Sequence, residues 1–232
     1  MKVRGVLLDF SGTLFSVEPL DAYVAHAAAR AGVALPADRL VELTAAYAAV
    51  GGIPGGPLPV ELPPESREDF WHRDEDAARH RRAYTSLLRR VPGSPPGLVE
   101  AVYDWHMREE AWQEAASTRP ALELLAARGI PAAVVSNIAH DIRPLLAAHG
   151  LLDLLSAVVL SFEYGRQKPD REFFLAACRE LDVAPEDALM VGDDPAGDGG
   201  AAKAGIRTLV LPRVGGGEDA GLAELLDALT AR

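Results

Sequence analysis

The chain has 232 residues, 49% of them hydrophobic and 25% charged, with a formal net charge of -11. That length holds one compact domain, or a core carrying an inserted subdomain. The acidic balance repels phosphate backbones, so no nucleic-acid partner is expected. No apolar run approaches the roughly 20 residues that span a bilayer, so no membrane partner is expected either.

The first apolar run, 3–8, is a compact buried strand by its unbroken hydrophobicity. It follows Lys2 and Arg4 but stops at Asp9 without a small-residue cleavage site, which makes it a poor leader peptide and points to a cytoplasmic protein. Asp9-Phe10-Ser11-Gly12-Thr13 comes next. From 17 to 115 there are helical patterns and no convincing strand, with Gly/Pro-rich interruptions at 51–64 and 91–97. A crossover needs only about a dozen residues, so this stretch is expected to be an inserted helical subdomain. Its segment 65–90 carries both charge signs, with Asp69/Arg73 and Glu75/Arg79 at i,i+4 spacing, and reads as a solvated helix face. Trp71, Tyr84, Trp105 and Trp112 sit at helical spacing and are expected to pack in its core.

After 115, strand and helix alternate. Thr118 is placed to cap a helix carrying Leu122 and Leu125, which Gly129 ends. A strand at 131–136 leads into Ser136-Asn137, and a weaker strand is expected at 157–161. Lys168-Pro169-Asp170 precedes a helix on which Phe173, Ala177 and Leu181 recur at steps of four. Cys178 is the single cysteine, so no internal disulfide forms. It shares the apolar side of that helix with Phe174 and reads as a small buried hydrophobe. The strand 188–191 runs into Gly192-Asp193-Asp194, with Asp198 beyond, and a strand at 207–211 follows. A last helix over 218–230 places Leu222, Leu225, Leu226 and Leu229 on one stripe. The alternation predicts an α/β fold, a Rossmann-like doubly wound parallel sheet.

Such sheets bind ligands beyond the carboxyl ends of their strands, and four polar clusters fall there. A positioned carboxylate can attack phosphorus or carbon and form a covalent intermediate. Asp9, Asp193, Asp194 and Asp198 offer the hard oxygen atoms that Mg²⁺ prefers. Two adjacent carboxylates at a buried strand end repel one another unless a cation is present, although a solvated turn at 193–194 and a helix-capping role for Asp198 are alternatives. Lys168 adds fixed positive charge, and Ser136 with backbone N–H groups can hold phosphate oxygens. Gly12 lets the backbone approach a ligand closely. Thr13 and Asn137 fit as hydrogen bonders that shape the site. The six histidines show no metal-ligand spacing.

VLLDFSGTLF resembles the first motif of the haloacid dehalogenase superfamily, in which an aspartate nucleophile precedes Gly-Thr-Leu. VVSN is similar to the second motif, GRQKPDREFF to the lysine-bearing third, and MVGDDPAGDGGAAKAGI to the acidic fourth. The resemblance implies a core at 1–16 and 116–232, a helical cap at 17–115 that closes over the site, and Mg²⁺ as cofactor. It implies a catalytic set at Asp9, Ser11 and Lys168, and a metal held by Asp9, the carbonyl of Ser11, Asp193 and Asp194 or Asp198. The substrate implied is a small phosphorylated molecule, and the protein would be a monomer or homodimer.

One residue departs from that pattern. Phosphatases of the superfamily usually carry a second aspartate two residues after the nucleophile, where it protonates the leaving oxygen and then activates water; here the residue is Ser11. General acid–base help is worth about 10²–10⁴ in rate, so Ser11 implies either a slow phosphatase or proton transfer by another group, with Asp194, Glu163 and a group of the substrate as candidates. Haloacid dehalogenases also lack that aspartate, because halide leaves without a proton, but they work without a metal. Phosphonoacetaldehyde hydrolases need a cap lysine, and the three lysines here, Lys2, Lys168 and Lys203, all lie outside 17–115. A catalytically weak descendant that binds a phosphorylated ligand is a third reading.

Overall fold

The computed structural model describes residues 3–213, 215, 218 and 220–230; Lys2 lies outside them. The chain divides into two compact units, Met1–Ser16 with Glu114–Arg232, and Val17–Gln113. In chain order the first elements are β1 (Gly5–Leu8), β2 (Phe15–Val17), α1 (Leu20–Arg30), α2 (Ala37–Ala49), α3 (Arg67–Trp71), α4 (Ala77–Leu88), α5 (Leu98–His106) and β3 (Trp112–Glu114). They are followed by α6 (Thr118–Ala127), β4 (Ala132–Ser136), α7 (Arg143–Ala148), β5 (Ala157–Leu160), α8 (Ser161–Tyr164), α9 (Arg171–Glu180), β6 (Ala188–Gly192), β7 (Arg207–Val210) and α10 (Leu222–Thr230).

Five strands form one sheet in the order β5-β4-β1-β6-β7. Every pairing among them is parallel, with Val6 opposite Ala132 on one side and Leu189 on the other. The sheet is therefore wound in both directions from β1, and the carboxyl ends of β1, β4 and β6 lie side by side. Leu7, Ala133, Val135, Ala188 and Met190 alternate onto one face, where they pack with Phe173, Phe174, Ala177 and Cys178 of α9. Val6, Leu8 and Val134 are fully buried on the other face. Burial of these apolar runs on both faces is what makes the strands legible without alternation.

Local details correct several expectations. Thr118 is the first residue of α6 and its hydroxyl donates to the Leu14 carbonyl at 2.7 Å, so it ties the helix to the loop after β1 rather than capping it. Asp170 caps α9 as its place before the apolar repeat predicts, accepting from the Glu172 N–H at 2.7 Å. The last helix begins at Leu222, not at 218, and Leu229 is 40% exposed, off the buried stripe of Leu222 and Leu226; residue 219 lies outside the described residues. Strands β2 and β3 were not foreseen. Each is three residues long, they pair with one another, and they lie where the chain passes between the units.

The unit Val17–Gln113 is built from helices. Phe70, Tyr84, Leu87 and Tyr103 form a buried cluster there, with Trp105 and Trp112 also buried. Trp71 is the exception to the packing expectation at 54% exposure. Glu75 and Arg79 make the expected i,i+4 pair, whereas Asp69 pairs with Arg79 and Arg82. Among the described residues no helix is long and apolar enough to cross a membrane.

Candidate active site

Asp9 directly follows β1, and its N–H donates to the Val191 carbonyl of β6 at 2.9 Å, which extends the sheet pairing by one residue. This fixes the Asp9 backbone, and the side chain is buried at the rim. The loop that follows closes tightly: the N–H groups of Leu14 and Phe15 both donate to the Phe10 carbonyl, and Gly12 donates to Phe15. Gly12 stands at φ +100°, and a Cβ there would meet Asp193 Oδ2 at 2.5 Å. The glycine is thus required twice, by its dihedral and by the carboxylate packed against it. Ser11 forms an isolated bridge with Phe15 in this loop.

Lys168 is carried between α8 and α9. The Asn137 side chain holds its backbone at both ends, accepting from the Lys168 N–H at 2.7 Å and donating to the Lys168 carbonyl at 3.0 Å. Its buried ammonium then donates to Asp9 Oδ1 and to Asp198 Oδ1, both at 2.5 Å. Asp198 opens the 3-10 helix Asp198–Ala204 and is fully buried. Its second oxygen accepts from the Asp194 N–H at 2.9 Å. Gly192 makes room for it, since a Cβ there would lie 2.1 Å from Asp198 Oδ2.

Asp9, Asp193 and Asp198 each offer an oxygen within 4.8 Å of the others. Asp194 does not belong to this group. Its side chain is exposed and accepts from the Ala196 N–H at 2.9 Å, bracing the turn after β6. Of the two adjacent carboxylates, Asp193 is in the cluster and Asp194 makes a local Asx turn. Asp198, with helix capping as its alternative, is instead part of the buried cluster. Ser136 ends β4, and its Oγ is buried with no hydrogen-bond partner. Thr13 donates weakly to Asp193 Oδ1 at 3.5 Å. The sequence reading missed one residue: Arg213, beyond β7, donates from Nη1 to Asp193 Oδ2 at 2.9 Å. Its only signal was a cation just past a strand's carboxyl end, and nothing in the chain order said that β7 lies beside β6.

The electrostatics follow from this crowding. Burial pushes the Asp9 carboxyl up to about 6 against the pull of Lys168, and Asp193 adds to the rise. Burial also raises the Asp198 carboxyl against Lys168. For Lys168 burial opposes the charge, but Asp198 and Asp9 outweigh it and hold the ammonium well above its ordinary value. Three carboxylates thus face two cations, a donor set of hard oxygens carrying net negative charge. That is the chemistry of a divalent-cation site. The unsatisfied Ser136 hydroxyl suits an oxyanion.

The haloacid dehalogenase-like hydrolase family matches residues 3–205. The phosphoserine phosphatase of Thermus thermophilus is 34% identical over 137 residues, 57% of this chain and 54% of that protein. The (S)-2-haloacid dehalogenase 1 of Pseudomonas sp. is 28% identical over 147 residues, 63% of this chain and 61% of that one. The matched segments span between about half and two thirds of the curated relatives. The HAD-hydrolase YfnB of Bacillus subtilis, solved with magnesium, shares the fold with a TM-score of 0.69 at 17% identity over 99% of both chains. With the family pattern running from the first strand to beyond the acidic cluster, the chain belongs to the haloacid dehalogenase-like hydrolases.

Proposed function

We propose that this chain hydrolyses a small phosphate monoester through an aspartyl-phosphate on Asp9. The observation that carries the reading is the Lys168 ammonium shared between Asp9 and Asp198 inside a three-carboxylate cluster. Asp9, Asp193 and the Ser11 carbonyl would hold Mg²⁺, which when bound neutralises charge on the transferring phosphoryl group. Lys168 orients Asp9 and adds positive charge that a dianionic substrate meets. The Ser136 hydroxyl donates to a phosphoryl oxygen. An Asp9 oxygen attacks phosphorus as the ester P–O bond breaks, and the electron pair departs on the leaving oxygen. Water then adds to the aspartyl-phosphate, releasing phosphate and restoring the carboxylate. In this reading Val17–Gln113 serves as the helical cap and supplies substrate selection.

The missing carboxyl at Ser11 shapes the substrate. Asp194 is committed to its turn, and Glu163 is held at both oxygens by Arg143, at 2.8 and 2.9 Å. Both carboxylates are engaged in these bonds. The reading that remains is a leaving group that departs as an anion or carries its own proton. Ser11 also favours a second reading, a dehalogenase in which Asp9 attacks carbon and halide leaves unprotonated.

The test is a panel of phosphate monoesters with leaving groups of graded acidity, together with 2-haloacids, assayed with Mg²⁺ and with EDTA. Phosphate release that stops in EDTA, and falls to background in Asp9→Asn while the fold is kept, is expected. Haloacid turnover that survives EDTA would establish the second reading, and full activity in Asp9→Asn would remove Asp9 as nucleophile.

A further inference from the structure

Each carboxylate of the cluster has a cationic partner. Asp9 and Asp198 share the buried Lys168, while Asp193 is met by Arg213. The two cations differ in kind. The Lys168 side chain is 4% exposed and locked, whereas the Arg213 side chain is 51% exposed and reaches in from the segment after β7 to a carboxylate that is itself only 4% exposed. Both oxygens of Asp193 are engaged, Oδ1 by the Thr13 hydroxyl and Oδ2 by Arg213, with Oδ2 also packed against Gly12. A metal bound through Asp193 therefore meets an arginine already occupying part of its ligand.

We propose that Arg213 is a built-in competitor for the divalent-cation site, neutralising Asp193 when the site is metal-free and giving up that bond when the cation binds. The proposal rests on the metal-dependent reading above. Physically, the pair offsets the repulsion among three converging carboxylates, and the same bond must be surrendered before Asp193 can turn a lone pair to a metal. A guanidinium is permanently charged, so the competition is not switched off by pH. Its strength is limited because half of the side chain stays in water, where ion pairs are weak. The arginine thus sets how tightly the site takes its cation.

Titration calorimetry of the 232-residue chain with MgCl₂, without substrate, tests this in wild type, Arg213→Ala and Arg213→Lys. Competition predicts that Arg213→Ala binds Mg²⁺ tighter by about fivefold, the ratio set by a weak half-exposed ion pair. Arg213→Lys, which keeps the charge but loses the planar fork, falls between. Equal or weaker binding in Arg213→Ala would overturn the proposal, because a positioning role for Arg213 predicts that loss. A lysine variant indistinguishable from wild type would overturn it too, since a general repulsive field would then suffice. A second readout needs no variant: phenylglyoxal modification of Arg213, followed by mass spectrometry, should become faster when Mg²⁺ is added. An unchanged or slower rate with Mg²⁺ demonstrably bound counts against it. If neither wild type nor variants bind Mg²⁺, the metal-dependent reading fails and the competition falls with it. If all bind with one affinity, that reading stands and only the competition falls.

Discussion

At the scale of single residues, the most informative position is Ser11. In the proposed reaction its place two residues after Asp9 would leave no carboxyl to protonate a departing alkoxide, and the carboxylates of Asp194 and Glu163 are bonded elsewhere. Ser11→Asp is therefore expected to raise kcat/KM for phosphate esters with poor leaving groups, by up to about 10²–10⁴, and to change little for those whose leaving group needs no proton. A plot of log kcat/KM against leaving-group pKa should be steep in wild type and flatter in the variant. Equal slopes would mean that another donor already serves. The motif residues near Asp9 were legible because strand ends and local spacing are properties of the chain order. Asp194 stands outside the three-carboxylate cluster, with its carboxylate accepting from the Ala196 N–H, and no spacing argument separates such an Asx turn from metal ligation. Arg213 was invisible because its partner lies on the neighbouring strand, and strand order is a tertiary fact.

At the scale of elements, the site depends on how closely the 3-10 helix Asp198–Ala204 packs on the end of β6. Asp198 is buried, bonded at one oxygen to Lys168 and at the other to the Asp194 N–H, and its carboxylate fills the space where Gly192 has no side chain. Gly192→Ala must drive the helix back from the strand. A loss of about 1–3 kcal/mol in urea unfolding is expected, together with a fall in kcat as Lys168 loses its second anchor. Gly199→Ala, whose Cβ meets nothing within 4 Å, is the control and should unfold near the wild-type midpoint. Similar costs for the two would mean that this packing does not hold Asp198. Elements this tightly coupled are also where sequence reading did best. The central strands β1, β4 and β6 are buried along their whole length, so compact hydrophobicity located them, while the edge strands β5 and β7 are only partly buried. The short strands β2 and β3 escaped because three residues carry no usable period.

At the scale of the whole molecule, stability should respond to pH through groups that oppose each other. Burial holds the His140 imidazole down to about 4, so the folded chain keeps it neutral where the unfolded chain protonates it. The unfolded state then binds more protons between about 4 and 6.5, and this residue adds stability as pH rises through that window. Asp9 runs the other way. Its carboxyl is raised from 3.8 to about 6, so the folded chain holds a proton that the unfolded chain has lost, and stability declines as pH rises over nearly the same range. Asp198, also raised by burial, acts in the same sense as Asp9, so the raw stability profile of the metal-free protein sums contributions of opposite sign. Subtraction separates them. In EDTA, the difference in unfolding free energy between wild type and His140→Gln should move in favour of wild type on going from about pH 4 to about pH 7, by at most about 3 kcal/mol. Urea titrations at several pH values across that span give the difference directly. A difference that stays constant would show that His140 is not held neutral by burial. Asp9 would then have no counterweight, and the wild-type stability in EDTA would have to fall from pH 4 to pH 6.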